Sequence, residues 1–242
     1  MFKSASQTRE FIAELRAAED PSWHAVDVVL CPPFTALGAA DDALAGQHWV
    51  ALGAQNMHWE EQGAYTGEIS APMLREHHVT YVLLGHSERR MYAAESDTNV
   101  ALKVRSALRH NMIPIVAVGE TLDEHELGQA AERVTLQTMA AFAGLGQEEI
   151  GGCVVAYEPI WAIGTGRADS PASANRVMGA IRACIPALRE ARLLYGGSMK
   201  PENVAALLHE PNIDGGLVGG ASLQVESFAA LVGAAGKRKS TP

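Results

Sequence analysis

The chain has 242 residues, of which 48% are hydrophobic and 19% charged, a globular composition that excludes disordered, collagenous and coiled-coil proteins. Its net charge of −9 argues against nucleic acid as a partner, because a phosphate backbone requires a positive field. The three cysteines are far apart and lack metal-ligand spacing, which favours a cytoplasmic protein without a disulfide framework. No apolar run is long enough for a membrane span, so we expect no membrane partner and no signal peptide.

The first elements are predicted to be a helix and then a strand. Ser4 and Gln7 have the spacing of a capping box, and an apolar stripe that includes Phe11 and Leu15 follows them. Residues 26–31 (VDVVLC) are a short apolar run, rich in β-branched residues, that ends at two prolines. Such a run is typical of a buried parallel strand.

The same alternation continues along the chain. Further strands are predicted over residues 49–54, 80–84, 113–118, 153–157, 192–195 and 213–218. Helices are predicted to begin at Ser96, at Ser170 with Pro171, at Pro201 and near Val225. Strands that alternate with helices indicate βαβ units in one α/β domain over residues 1–242, either a closed barrel or an open sheet. We count eight helical segments and seven strands, so an eight-stranded barrel would lack its first strand.

The most distinctive candidate for chemistry is Glu158, which directly follows the predicted strand 153–157. Functional residues of parallel sheets gather at the carboxyl ends of the strands, and the apolar neighbours Ile160 and Trp161 suit a general base. The alternative is a strand-end glutamate paired with a cation.

Residues 159–166 (PIWAIGTG) have a stiff apolar centre and a glycine-rich end, which is typical of a lid that closes over a ligand. The spacing of its glycines does not favour a dinucleotide site.

His86 lies just beyond another predicted strand, next to Ser87 and Glu88, which look like the first turn of a helix. A helix N-terminus disfavours the imidazolium ion, so we expect a neutral imidazole that can donate to a carbonyl oxygen. The alternative is a structural histidine. None of the nine histidines has metal-ligand spacing, so no metal is expected.

Two glycine clusters follow the last two predicted strands. They are residues 195–198 (YGGS) and residues 219–222 (GGAS). Backbone N–H groups of such loops can surround an anion, and the loops after the seventh and eighth strands of a barrel commonly bind phosphate. Each cluster alone could be an ordinary turn, but two at one edge of the sheet favour a phosphate site.

Together these motifs resemble the triosephosphate isomerase family over nearly the whole chain. The matching segments are residues 53–57 (GAQNM), 63–69 (GAYTGEI), 85–90 (GHSERR), 156–166 (AYEPIWAIGTG), 195–198 (YGGS) and 217–221 (LVGGA). The resemblance implies a (β/α)₈ barrel, a homodimer, and a glycolytic and gluconeogenic isomerase of dihydroxyacetone phosphate and glyceraldehyde 3-phosphate that needs no cofactor. By the same resemblance Glu158 is the base and His86 the electrophile that stabilises an enediolate, a pairing for which this family is the standard example. The residues that correspond to the family's phosphate ligands are Gly164, Ser198, Gly219 and Gly220.

The chain departs from the family pattern at two places. Ala117 replaces a cysteine that is common in the family, which we expect to be tolerated. The family's first strand and its Asn-x-Lys motif are not matched, and Lys3 does not correspond to that lysine. Two alternatives follow: a catalytically impaired barrel that binds phosphate esters without catalysis, and a phosphosugar enzyme of another reaction type. An Asn-x-Lys strand upstream of Met1 would favour the isomerase over the non-enzymatic barrel.

Overall fold

The computed structural model describes residues 1–163 and 169–239 of the chain. Seven parallel strands form one sheet in which each strand pairs with the next one in the sequence. The strands are β1 (Val28–Leu30), β2 (Val50–Ala54), β3 (Tyr81–Leu84), β4 (Ile113–Val118), β5 (Val154–Tyr157), β6 (Arg192–Tyr195) and β7 (Gly215–Gly216). This one-way winding is that of a (β/α)₈ barrel and confirms the predicted fold class with seven strands. Within the described residues β1 and β7 pair with one neighbour each, so the sheet is open between them.

Helices cover the outer face of the sheet. They are α1 (Ala5–Ala17), α2 (Leu37–Leu44), α3 (Ala71–Glu76), α4 (Ser87–Tyr92), α5 (Asp97–Arg109), α6 (Leu122–Glu126), α7 (Ala130–Phe142), α8 (Gln147–Gly151), α9 (Pro171–Cys184), α10 (Val204–His209) and α11 (Val225–Lys239). The predicted caps Ser4, Ser96 and Ser170 each accept a hydrogen bond from the first turn of the following helix. The prediction of eight helices is wrong for the described residues, because one-turn helices such as α6 and α8 are too short to show an apolar period.

Two predicted boundaries differ from the structure. The strand predicted over residues 213–218 is shorter in the structure, where β7 comprises Gly215–Gly216. Within the described residues β7 is an edge strand, and only these two residues pair with Leu194 and Tyr195 of β6. The helix predicted from Pro201 begins at Val204 instead. A turn precedes it, in which the Lys200 N–H donates to the Asn203 side chain.

Side chains of the central strands alternate between two apolar layers. In β4, Ile115 and Ala117 point into the sheet's interior with Leu83, whereas Val116 and Val118 pack under the helices. Because both faces are buried, the strands read as continuous apolar runs in the sequence. Polar groups that need access to a ligand are therefore confined to the ends of the strands. No helix within residues 1–163 and 169–239 is long and apolar enough to cross a membrane.

Candidate active site

Five of the predicted site residues line one cavity at the carboxyl ends of the strands. These residues are His86, Glu158, Ser198, Gly219 and Gly220. The cavity has a volume of about 1680 Å³, above the usual range of about 300–1,000 Å³ for ligand pockets. Its size reflects the open side of the sheet, because both edge strands line it. The remaining predicted residue, Gly164, lies outside the described residues, as does part of the predicted lid.

Glu158 and His86 are in direct contact. Oε1 of Glu158 lies 3.0 Å from Nε2 of His86, and Oε2 accepts a hydrogen bond of 2.8 Å from the Ser87 backbone N–H. The glutamate is 2% exposed, whereas 24% of the histidine side chain is exposed to the cavity. Residues 72 positions apart in the chain thus form one titratable pair at the carboxyl edge.

The backbone around Glu158 requires glycine on both sides. A Cβ at Gly119, which follows β4, would lie 1.9 Å from the Glu158 carbonyl oxygen. A Cβ at Gly196, which follows β6, would lie 2.9 Å from the Glu158 Cγ. Hydrogen bonds fix the same ends of the strands, since Glu158 N–H donates to Val118 O at 2.8 Å and Gly196 N–H to Tyr157 O at 2.7 Å. The neighbouring strands therefore hold the Glu158 backbone in one place.

His86 occupies the N-cap of α4, as the sequence predicts. Its Nδ1 accepts a hydrogen bond of 3.2 Å from the Glu88 N–H, so the ring proton of a neutral imidazole is on Nε2, which faces Glu158. Burial, the largest single influence, lowers the pKa of His86, but the hydrogen bond and negative charge of Glu158, with Glu88 and Glu95, raise it above the ordinary value. The sequence predicts a lowered pKa for His86 from the helix N-terminus alone. The pKa is raised instead, because Glu158 contacts the ring directly.

The two glycine clusters differ in their surroundings. A Cβ at Gly219 or Gly220 would meet nothing within 4 Å, so both glycines border open space at the start of a short 3₁₀ turn. The backbone of Ser198 is fixed by a hydrogen bond of 2.9 Å from the Asn203 side chain to its carbonyl oxygen. The two loops thus face the same cavity with room for a ligand between them.

Sequence reasoning missed a buried polar group that contacts Trp161, a residue of the predicted lid. The Glu120 carboxylate, which follows β4, is fully buried and accepts hydrogen bonds from Trp161 Nε1 at 2.7 Å and Tyr157 Oη at 3.0 Å. Burial raises the pKa of Glu120 above the ordinary value. The sequence predicts Ser87 in the first turn of a helix, but neither its hydrogen bond to Glu158 nor the close approach of Gly119 to that residue. These contacts give no sequence signal, because they join ends of different strands.

Comparison with known proteins identifies the family. The family profile described as triosephosphate isomerase matches residues 1–235. A protein named triosephosphate isomerase from Symbiobacterium thermophilum is 46% identical over 245 residues, which cover 99% of this chain and 95% of the relative. One with the same name from Alkaliphilus metalliredigens is 46% identical and covers 96% and 95%, and one from Herpetosiphon aurantiacus is 49% identical and covers 85% and 84%. The chain therefore belongs to the triosephosphate isomerase family of enzymes.

Proposed function

We propose that this protein interconverts dihydroxyacetone phosphate and D-glyceraldehyde 3-phosphate by proton transfer through an enediolate. The observation that carries the proposal is the pair of Glu158 and His86, with 3.0 Å between Oε1 and Nε2, beside two glycine loops that suit a phosphate. A carboxylate base and an imidazole donor are the two groups that proton abstraction next to a carbonyl requires.

Glu158 is the proposed base. No substrate carbon and oxygen fit between Oε1 and Nε2 while these atoms are 3.0 Å apart, so the carboxylate has to leave His86 when the substrate binds. Its hydrogen bond from the Ser87 N–H has to break or rearrange in the same movement. The Gly119 and Gly196 contacts hold the backbone, so we expect the side chain to rotate about a fixed strand end.

His86 is the proposed electrophile. Once the substrate oxygen replaces Glu158, Nε2 can donate its proton to that oxygen, while the Glu88 N–H continues to occupy Nδ1. Departure of the carboxylate also removes the main influences that raise the pKa of His86, and burial then favours the neutral imidazole. The neutral form, which the sequence predicts, is thus expected in the substrate complex.

The phosphate group is assigned to Ser198, Gly219 and Gly220, together with Gly164. Glycines let backbone N–H groups approach an anion closely, and the open space beside Gly219 and Gly220 supports this assignment. The net charge of −9 does not oppose it, because local dipoles determine binding at such a site.

Assay of purified protein from a host without its own isomerase tests the function. We expect Glu158→Gln to lose at least about 100-fold in kcat while it still binds a phosphate-bearing inhibitor, because the amide keeps the shape and accepts no proton. The exposed Glu132 on α7 provides the matched control Glu132→Gln, which should match the parent. A Glu158→Gln activity within about tenfold of the parent would contradict the assignment.

We also propose that the protein is a homodimer. Tyr65, 45% exposed in the loop of residues 63–70, packs on the His58 ring with 4.3 Å between the centroids, which presents an aromatic surface to a partner. Tyr65→Asp should sediment as a monomer at micromolar concentration, whereas Leu136→Asp, on the exposed side of α7, should remain dimeric. A monomeric parent would exclude the dimer.

One core cluster includes residues from Phe11 to Val232, which supports a single domain over residues 1–242. A single cooperative unfolding transition would agree with this proposal.

The three cysteines are free thiols, which supports a cytoplasmic location. Fractionation of the source cells tests this proposal.

A further inference from the structure

The residue before His86 is a glycine whose two polar backbone groups are both held by charged side chains. Gly85 follows β3 and has a φ of +72°, a conformation that favours glycine. Its N–H donates to Oε2 of the buried Glu95 at 3.1 Å, and its carbonyl oxygen accepts a hydrogen bond of 2.7 Å from Nε of Arg90. The backbone that leads into His86 is therefore fixed on both sides of Gly85.

The Arg90 guanidinium joins three elements of the fold. Besides Gly85, its Nη2 donates to the Ala117 carbonyl oxygen in β4 at 3.2 Å, and its Nη1 pairs with Asp97 at the start of α5 at 2.6 Å. The Arg90 side chain is 14% exposed, and it does not line the cavity that the described residues form. Because a guanidinium presents its donors in a rigid planar fork, acceptors on three elements determine its orientation.

The contact between Arg90 and Gly85 leaves little free space. A Cβ at Gly85 would lie 2.8 Å from Nη2 of Arg90 and 3.1 Å from the Ala117 carbonyl oxygen. Hydrogen bonds from a charged donor are about twice as strong as those between neutral groups. Arg90 therefore ties the Gly85 carbonyl group to β4 at a close and defined distance.

The same end of β4 supports Glu158. The carbonyl oxygen of Val118, the residue after Ala117, accepts a hydrogen bond of 2.8 Å from the Glu158 N–H. His86 follows β3 and Glu158 follows β5, and β4 lies between these two strands. Arg90 thus links the backbone of one member of the pair to the strand that holds the backbone of the other.

We propose that Arg90 is a positioning residue that sets the distance between His86 and Glu158 by tying the Gly85 carbonyl group to the end of β4. It acts through the backbone of His86 and not by contact with a ligand. The consequence for catalysis rests on the function proposed above, whereas the position of the imidazole does not.

Arg90→Lys tests the proposal without a change of charge. A lysine ammonium can still pair with Asp97, but it does not reproduce the fork that holds two backbone carbonyl groups as well. The matched control is Arg182→Lys. Arg182 is 19% exposed, pairs with Asp214 at 2.6 Å and donates to the Ala191 carbonyl oxygen at 3.1 Å, just before β6 at the amino end of the sheet. Both variants lose a guanidinium fork, but only Arg90→Lys loses one next to His86.

The NMR titration of ¹⁵N-labelled histidine reports the position of the imidazole in the free protein. The chain has nine histidines, and His86→Gln identifies the signal of interest. Contact with Glu158 raises the pKa of His86, so a looser contact in Arg90→Lys should lower the midpoint by at least about 0.5 on the pH scale. Arg182→Lys should keep the parental midpoint. The charged groups near the ring are the same in the parent and both variants: Glu88, Arg89, Glu95 and Glu158.

The parent protein also tests the hydrogen bond itself, which keeps the proposal open to refutation if Arg90→Lys does not fold. The Nε–H of Arg90 should exchange with solvent more slowly than that of Arg9, whose side chain is 55% exposed. Equal exchange rates would overturn the proposal, because the Gly85 carbonyl group would then not be held.

Kinetics test the consequence for the reaction. A shift of about 1 Å in a catalytic group can cost about 100-fold in rate, so we expect a smaller displacement in Arg90→Lys to lower kcat about tenfold. The Kd for inorganic phosphate should not change, since Arg90 contacts neither of the glycine loops assigned to phosphate. If Arg90 only stabilised the fold, Arg90→Lys would have a lower Tm and a smaller active fraction but the parental midpoint for His86.

Three results would overturn the proposal. They are a parental His86 midpoint in folded Arg90→Lys, an equal fall of the midpoint in Arg182→Lys, and an unchanged kcat in Arg90→Lys when the parent is active. A lower midpoint in Arg90→Lys together with an inactive parent would support the positioning of His86 and refute the proposed function.

Discussion

Gly119→Ala should disable the active site without touching any catalytic side chain. Gly119 follows β4, and an added Cβ would lie 1.9 Å from the carbonyl oxygen of Glu158, which follows β5. An ordinary contact between carbon and carbonyl oxygen exceeds about 3.3 Å, so one of the two strand ends has to move by at least about 1 Å. The clash is with backbone, which cannot rotate away as a flexible side chain can.

The size of the effect follows from that displacement. A shift of about 1 Å in a catalytic group can lower the rate about 100-fold, and we expect a loss of this size in kcat/KM. Overpacking in a buried region costs about 1–3 kcal/mol, which for a chain of this length lowers Tm by roughly 2–10 °C. Activity should therefore fall much more than the folded fraction at room temperature.

Steady-state kinetics and a thermal melt on the same preparations measure both effects. The control is Gly233→Ala, because a Cβ there would be 3.6 Å from the nearest atom, the Trp23 Nε1, and the site lies within α11. This variant should keep full activity and be as stable as the parent or up to about 1 kcal/mol more stable. If Gly119→Ala retained parental activity and Tm, the claim that Glu158 depends on this close approach would be refuted.

Two further predictions concern buried charges. Lys103→Met removes the buried cation beside Glu95, because the Lys103 Nζ contacts Glu95 Oε1 and also donates to Asn56 at 2.8 Å; Arg89, 3.6 Å from the same oxygen, then remains as the cation. Chemical denaturation should show a loss of up to about 3–5 kcal/mol, smaller in the double variant with Glu95→Gln, and a loss in the single variant below about 1 kcal/mol would contradict this. Burial raises the pKa of Glu120 in the folded protein, so the folded state binds more protons than the unfolded state. The contribution of Glu120 to stability therefore falls as the pH rises from the unfolded pKa of about 4.5 through the raised folded value. Glu120→Gln removes this dependence, so the stability of the variant relative to the parent should rise over that interval, and a constant difference would contradict it.

The sequence was sufficient to predict the strands of the central sheet. Strands such as β4 are buried on both faces, so their residues form a continuous apolar run in the sequence. The edge strand β7 was overestimated, because its length depends on pairing with β6 and not on its own residues. The start of α10 was placed too early, because the Asn203 side chain forms a turn with Lys200 before the helix begins.

The candidate site could be located from the sequence but not assembled. Glu158 and His86 each follow an apolar strand, which places both at the carboxyl edge. Their direct contact, and its effect on the pKa of His86, depend on how two strands with β4 between them meet in space. The link from Trp161 to Glu120 joins residues 41 positions apart, and no local pattern predicts it.

The exchange of substrate hydrogen with solvent tests the role of Glu158 most directly. Dihydroxyacetone phosphate is incubated with the parent or with Glu158→Gln in D₂O, and proton NMR follows deuterium at carbon 1 and in the glyceraldehyde 3-phosphate formed. If Glu158 abstracts the proton, the parent incorporates deuterium during turnover, and the variant does so at least about 100-fold more slowly. Deuterium incorporation at the parental rate in Glu158→Gln would show that another group is the base.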